Sequence, residues 1–179
     1  MKPIKVIFLD IDGVMNSWDE MRLLISTNEG KPIKDMDLPS KSHMSCLKNI
    51  VTKTKAKIVL ASSWRISLRR IQTLIDIFEK YNLTIYGYTC EGVDKSELLN
   101  TRWRKVEGFK KLKKGITYDR GAEIAYWLST HNNVSKYVIL DDKSSDILPW
   151  HPNNLVQTSM EYGLTSEEAE KCLQILGDF

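Results

Sequence analysis

Four acidic residues occur in two tight groups: Asp10 and Asp12 within residues 6–14 (VIFLDIDGV), and Asp141 with Asp142 at the end of VILDD. Each group follows a short apolar run, Val6-Ile7-Phe8-Leu9 in one case and Tyr137-Val138-Ile139-Leu140 in the other, and a third run, Ile58-Val59-Leu60-Ala61, stops at Ser62. An ionised carboxylate at the end of a buried strand is costly unless it is paired or bound to a metal. Up to four such charges in one pocket would repel one another, and a hard divalent cation such as Mg2+ offsets that repulsion. Phosphate is the natural third party, because it is anionic and bridges to the same ion.

The elements that must position these residues are visible in the pattern of apolar residues. Continuous apolar runs of four residues suit strands covered on both faces, as in a parallel sheet. Residues 85–89 and 155–158 are weaker strand candidates. Ile71, Leu74, Ile75 and Phe78 fall on one helical face, and Ala169, Cys172, Leu173 and Leu176 repeat the spacing behind a capping box at Thr165–Glu168. Helices are also expected over about 42–54 and 120–130. The alternation is βαβα, which predicts an α/β fold with a mostly parallel sheet. In such sheets ligands bind beyond the carboxyl ends of the strands, where the connections reverse direction. Asp10, Ser62, Asp141 and Asp142 are therefore expected at one crevice.

The composition narrows the class. The chain has 179 residues, 42% hydrophobic and 27% charged, which fits one folded domain and excludes wholesale disorder. No apolar run approaches the ~20 residues of a membrane span. The net charge is +3, which permits a phosphate-bearing partner without requiring one. Cys46, Cys90 and Cys172 make neither a disulfide framework nor a CxxC pair, and His43, His131 and His151 have no metal-ligand spacing. The apolar run after Lys2 and Lys5 is too short for a signal peptide, so a cytoplasmic protein is expected.

These motifs carry a resemblance. DIDGV after an apolar strand resembles the first motif of the haloacid-dehalogenase-like (HAD) phosphohydrolases, and the later signals fall in that superfamily's order. VLASS resembles the second motif, Arg120 in DRGAEI the third, and VILDD with Asp146 the acidic fourth. The wording FLDIDGV, SSWR, RGAEIAYWL, YVILDD, LVQT and GLT is similar to a HAD subgroup of RNA-repair ("Swiss Army Knife") proteins. The resemblance implies that Asp10 is a nucleophile forming an aspartyl-phosphate, and that Asp12 protonates the leaving oxygen and later activates water. It implies Mg2+ held by Asp10, the Asp12 carbonyl and Asp141 or Asp142. It places Ser62 on a phosphoryl oxygen, with Ser63 as the alternative and Gly13 beside them, and uses Arg120 for charge balance. Lys110, Lys111, Lys113 and Lys114 are alternatives for that cation. Asn16, Trp64 and Arg65 are candidate substrate contacts; Trp64 is otherwise a core residue, and Arg65 otherwise pairs with an acid.

Two segments lack clear periodicity and read as small inserts, about 17–41 and 90–119, too short for a full cap domain. From Lys95 to Arg120 there are nine basic residues against three acids, a local balance of 9 − 3 = +6, with Trp103, Phe109 and Tyr118 among them. Basic residues interleaved with aromatics suit single-stranded nucleic acid; a solvated basic face is the simpler alternative. The expectation is a single doubly wound, minimally capped α/β domain, residues 1–179, with five parallel strands ordered 3-2-1-4-5. It would be a Mg2+-dependent phosphomonoesterase acting on an RNA or DNA end, or on a nucleotide. A small-metabolite phosphatase, or a nucleic-acid-binding module with an inert site, are the rival readings.

Overall fold

The structure is a computed structural model that describes residues 2–27 and 37–177. Its centre is a five-stranded parallel sheet made of β1 (Ile4–Leu9), β2 (Lys57–Leu60), β3 (Ile85–Tyr88), β6 (Val134–Asp141) and β7 (Leu155–Gln157). A short antiparallel ribbon, β4 (Val93–Asp94) with β5 (Ile116–Thr117), lies apart from it. The sheet order is β3-β2-β1-β6-β7. Over the five sheet strands this is the expected 3-2-1-4-5 arrangement; the numbers differ because the two ribbon strands intervene. Two-residue strands leave no alternating pattern to read, which is why the insert at 90–119 shows no periodicity in the sequence.

Both faces of the sheet are covered, and this explains the unbroken apolar runs. Ile7, Leu9, Ile58, Leu60, Val138 and Leu140 point into one core beneath α2 (Lys41–Thr54), α3 (Leu68–Lys80) and α6 (Ser166–Leu176). Val6, Phe8, Val59 and Ile139 point into the other, under α5 (Arg120–Thr130) and the 90–119 insert. The expected helices are present, and Thr165 with Glu168 forms the capping box of α6.

Two expectations about the inserts need correction. The segment after Ser17 is not wholly irregular: α1 spans Trp18–Thr27. None of its residues is buried, so no core selected a 3.6-residue apolar stripe for it. The remainder of the 17–41 insert lies mostly outside the described residues. In the second insert, Trp103 and Phe109 are not surface stacking rings; they are 6% and 8% exposed and belong to the core under α5. A short helix α4 (Glu107–Lys111) and two 3-10 turns carry them there, and Gly108 lies close against Trp150. Among the described residues no helix is long and apolar enough to cross a membrane.

Candidate active site

The pairing register sets the geometry of the site. Leu9 pairs with Leu60 on one side and with Leu140 on the other, so Asp10, Ala61 and Asp141 lie at one level at the carboxyl end of the sheet. Backbone bonds from Asp10 N to Leu140 O (2.9 Å) and from Ala61 N to Leu9 O (2.9 Å) carry the ladder to its edge. β1 is also the switch point, with β2 on one side and β6 on the other. One carboxylate oxygen each from Asp10, Asp141 and Asp142 lies within 4.8 Å of the others.

This cluster is electrostatically unbalanced. Burial pushes the Asp141 carboxyl above the ordinary carboxylate range, and neighbouring Asp10 pushes it further; Arg120 opposes them. Asp142 is raised for the same leading reasons, burial and then Asp10. Arg120, in the first turn of α5, puts Nη1 3.5 Å from Asp10 Oδ1 and 3.3 Å from Asp141 Oδ2. Arg120 is thus set against Asp10 and Asp141, while Lys143 opposes the charge on Asp142. Ligands of an octahedral Mg2+ ion stand about 3 Å apart when adjacent and about 4 Å apart when opposite, so three oxygens within 4.8 Å of one another would have to draw in around the ion. The acids present fit a hard divalent cation.

Asp12 lies outside this cluster, and its carboxylate has different partners. Trp64 Nε1 donates to Oδ2 at 3.0 Å and Asn16 Nδ2 donates to Oδ1 at 3.0 Å. Asn16 also accepts from Gly13 N at 2.9 Å, closing the loop on itself. Trp64 and Asn16, expected as substrate contacts, are buried and hold Asp12 instead. Gly13 has φ +73°, and a Cβ there would lie 2.8 Å from the Asp142 Cβ. Only glycine lets the two acidic loops come this close.

Ser62 is fully buried at the end of β2, and its hydroxyl oxygen accepts from Trp64 N at 3.3 Å, leaving the O–H proton to donate. Ser63 beside it is exposed. Arg65 is committed elsewhere. Its guanidinium donates to the carbonyls of Ala61, Ser62 and Cys90 (2.8–2.9 Å) and to Glu123 Oε2 (2.7 Å). Both partners of that ion pair are nearly buried, so Arg65 acts as a brace between the Ser62 loop, Cys90 and α5. Asp146 accepts from Arg120 N at 3.1 Å and so holds the start of α5.

Sequence reasoning missed Glu123. It is 2% exposed and sits one turn beyond Arg120, with Oε2 3.8 Å from Arg120 Nε; its other oxygen accepts from Gly92 N at 3.0 Å. Its signal was the i,i+3 spacing from Arg120 on a helix. Thr158 was also missed: its hydroxyl donates to Gly13 O at 2.7 Å.

A doubly wound α/β domain with strand-end acids at its switch point has the layout of the HAD-like class. The sequence matches the family described as the HAD domain in Swiss Army Knife RNA repair proteins over residues 6–169 of 179, and the chain belongs to that family. No curated protein and no solved structure matches the chain. Membership supports a phosphatase-type function.

Proposed function

We propose that this protein is a Mg2+-dependent phosphomonoesterase that works through an aspartyl-phosphate and acts on a polynucleotide end or a nucleotide. The observation that carries the reading is the division of labour among the acids. Asp10 lies with Asp141 and Asp142 within 4.8 Å, while Asp12 is held apart by Trp64 and Asn16.

In the first step an Asp10 oxygen attacks phosphorus, the bond from phosphorus to the leaving oxygen breaks, and Asp12 gives that oxygen its proton. In the second, Asp12 takes a proton from water as the water oxygen attacks phosphorus. The phosphorus–Asp10 bond breaks, releasing phosphate and restoring the carboxylate. The Ser62 O–H donates to a phosphoryl oxygen, and Arg120, already 3.5 Å from Asp10, offsets the charge that gathers there. Mg2+ held by Asp10, the Asp12 carbonyl and Asp141 or Asp142 would supply further neutralisation of the phosphoryl oxygens.

The test is Asp10→Asn against a generic aryl phosphate with Mg2+ present. Turnover should fall by at least about 10^3-fold, with the folded state retained because one of three clustered negative charges is removed. Turnover like that of the unaltered protein would remove Asp10 from the chemistry and the reading with it.

A further inference from the structure

Trp64 and Asn16 hold the Asp12 carboxylate between them, and each is also touched by one member of an ion pair. The Arg70 guanidinium lies over the Trp64 ring, 4.7 Å from its centroid. Asn16 Nδ2, which donates to Asp12, donates as well to the carbonyl of Asp37 at 2.6 Å. Arg70 Nη2 and Asp37 Oδ2 stand 3.8 Å apart. The pair therefore links the two residues that anchor Asp12, from the first turn of α3 on one side and from the chain before α2 on the other.

Arg70 is placed against the local electrostatics. The first turn of α3 holds Arg69 and Arg70 and no acid, although the partial positive charge of a helix start favours acids there. Asp37 supplies a counter-charge, but the pair is loose. Its 3.8 Å separation is too long for a hydrogen bond, and the two side chains are 49% and 57% exposed. Such a pair contributes little and exchanges readily. Stacking on the indole holds the guanidinium in place without using its N–H donors. Among the described residues that guanidinium makes no hydrogen bond, whereas Arg65, five positions earlier, commits its own to three carbonyls and Glu123. Arg70 keeps a planar fork of donors open to water, one indole ring away from Asp12.

We infer that Arg70 selects substrates whose leaving group carries a negative charge of its own, and that this charge takes the place of Asp37. The attacking and leaving oxygens of a phosphoryl transfer lie roughly in line, so a leaving group opposite Asp10 departs on the side of Asp12, which protonates it. An anionic group a few bonds beyond that oxygen meets the guanidinium, whose fork matches carboxylate and phosphate alike. Asp37 sets the threshold. It repels the incoming anion and holds Arg70 until that anion replaces it, so a neutral leaving group gains nothing from the exchange. The inference rests on the phosphatase reading and adds to it a residue that discriminates among leaving groups.

The experiment uses the full chain with Mg2+ and two aryl phosphates that differ only in a side arm, para-(carboxymethyl)phenyl phosphate and the corresponding neutral carboxamide. Their phenols are closely matched as leaving groups, so the ratio of the two kcat/KM values reads the added charge. The unaltered protein should prefer the carboxylate, and the preference should shrink as salt rises. Arg70→Gln should lower the ratio about two- to fivefold, the size of an exposed charge contact. Asp37→Asn, which frees Arg70 and keeps the backbone carbonyl that Asn16 bonds, should raise it. Opposite shifts from the two members of one ion pair are not expected of a merely structural contact, which would act through Trp64 on both substrates alike. A ratio unchanged in both variants, or lowered in both, would overturn the inference. So would hydrolysis of both esters by the unaltered protein without preference, which leaves the phosphatase reading standing. Hydrolysis of neither would defeat that reading, and this inference with it.

Discussion

Thr158 Oγ1 donates to the carbonyl of Gly13 at 2.7 Å, across 145 residues of chain. Thr158 N also bonds Asp141 O at 3.0 Å, so one residue just beyond β7 grips both acidic loops. Gly13 is thereby pressed against Asp142, where a Cβ would have no room. The clamp sets how far Asp10 stands from Asp141 and Asp142.

Thr158→Val keeps the shape and removes the donor. The Gly13 carbonyl is then buried without its partner, which costs about 1–3 kcal/mol. Denaturant unfolding should register that loss. Because outer partners of metal ligands are worth about 10- to 100-fold in affinity, a calorimetric Mg2+ titration should show weakening of at least about tenfold. Unchanged Mg2+ affinity would mean that the clamp does not govern the cluster.

Trp64→Phe tests the other arm of the site. It deletes the Nε1 bond to Asp12 Oδ2 and leaves the Asp10, Asp141 and Asp142 cluster untouched. Proton transfer by a positioned side chain is worth about 10^2- to 10^4-fold, so loosening Asp12 should lower kcat for an aryl phosphate about tenfold or more. Mg2+ affinity should stay the same. A fall in Mg2+ affinity matching that in kcat would show instead that Trp64 supports the whole loop.

Glu123→Gln leaves the Arg65 guanidinium buried without its counter-charge. Breaking such a pair costs about 3–5 kcal/mol. Adding Arg65→Met should recover only part of this, because Arg65 also satisfies the carbonyls of Ala61, Ser62 and Cys90. Full recovery in the double variant, measured by denaturant unfolding, would show those three bonds to be worth little.

The sheet and its acids were legible because a strand buried on both faces must be apolar throughout, so the residue that ends the run stands out. Val6 to Leu9 ends in Asp10, and Tyr137 to Leu140 ends in Asp141. α1 was not legible because nothing buries it. Of the two roles open to Arg65, substrate contact or pairing with an acid, the structure shows the pair with Glu123, and with that acid 58 residues away no local pattern reveals it. Trp103 and Phe109 were misread for a related reason. Amid lysines they look like surface rings, and only the fold of the insert shows that their side chains turn inward.

His151 gives the fold an acid-sensitive point. It is fully buried; Nε2 donates to Gly121 O at 2.9 Å, so Nδ1 is left to accept from Tyr137 Oη at 3.0 Å. Gly121 follows Arg120 in the first turn of α5, and a Cβ there would lie 2.4 Å from Asp146 O, so this turn depends on close packing. Burial pushes the His151 pKa down from 6.5 to about 4. The unfolded chain therefore binds this proton first. The stabilising contribution is complete above pH 6.5 and is lost as pH falls towards 4, a change on the order of 3 kcal/mol at one pKa unit per 1.36 kcal/mol. Asp119 acts in the opposite direction. Burial raises its pKa from 3.8 to about 6, so its contribution is complete below 3.8 and is lost as pH rises through 6. Partial exposure of Asp119 limits its effect to on the order of 1 kcal/mol, and Asp141, whose carboxyl burial also raises, acts in the same direction as Asp119. Unfolding midpoints measured between pH 6.5 and 4 for the unaltered protein and for His151→Gln isolate the histidine, since every acid is common to both. The unaltered protein should lose stability relative to the variant as pH falls; a constant difference between them would mean that His151 is not held neutral.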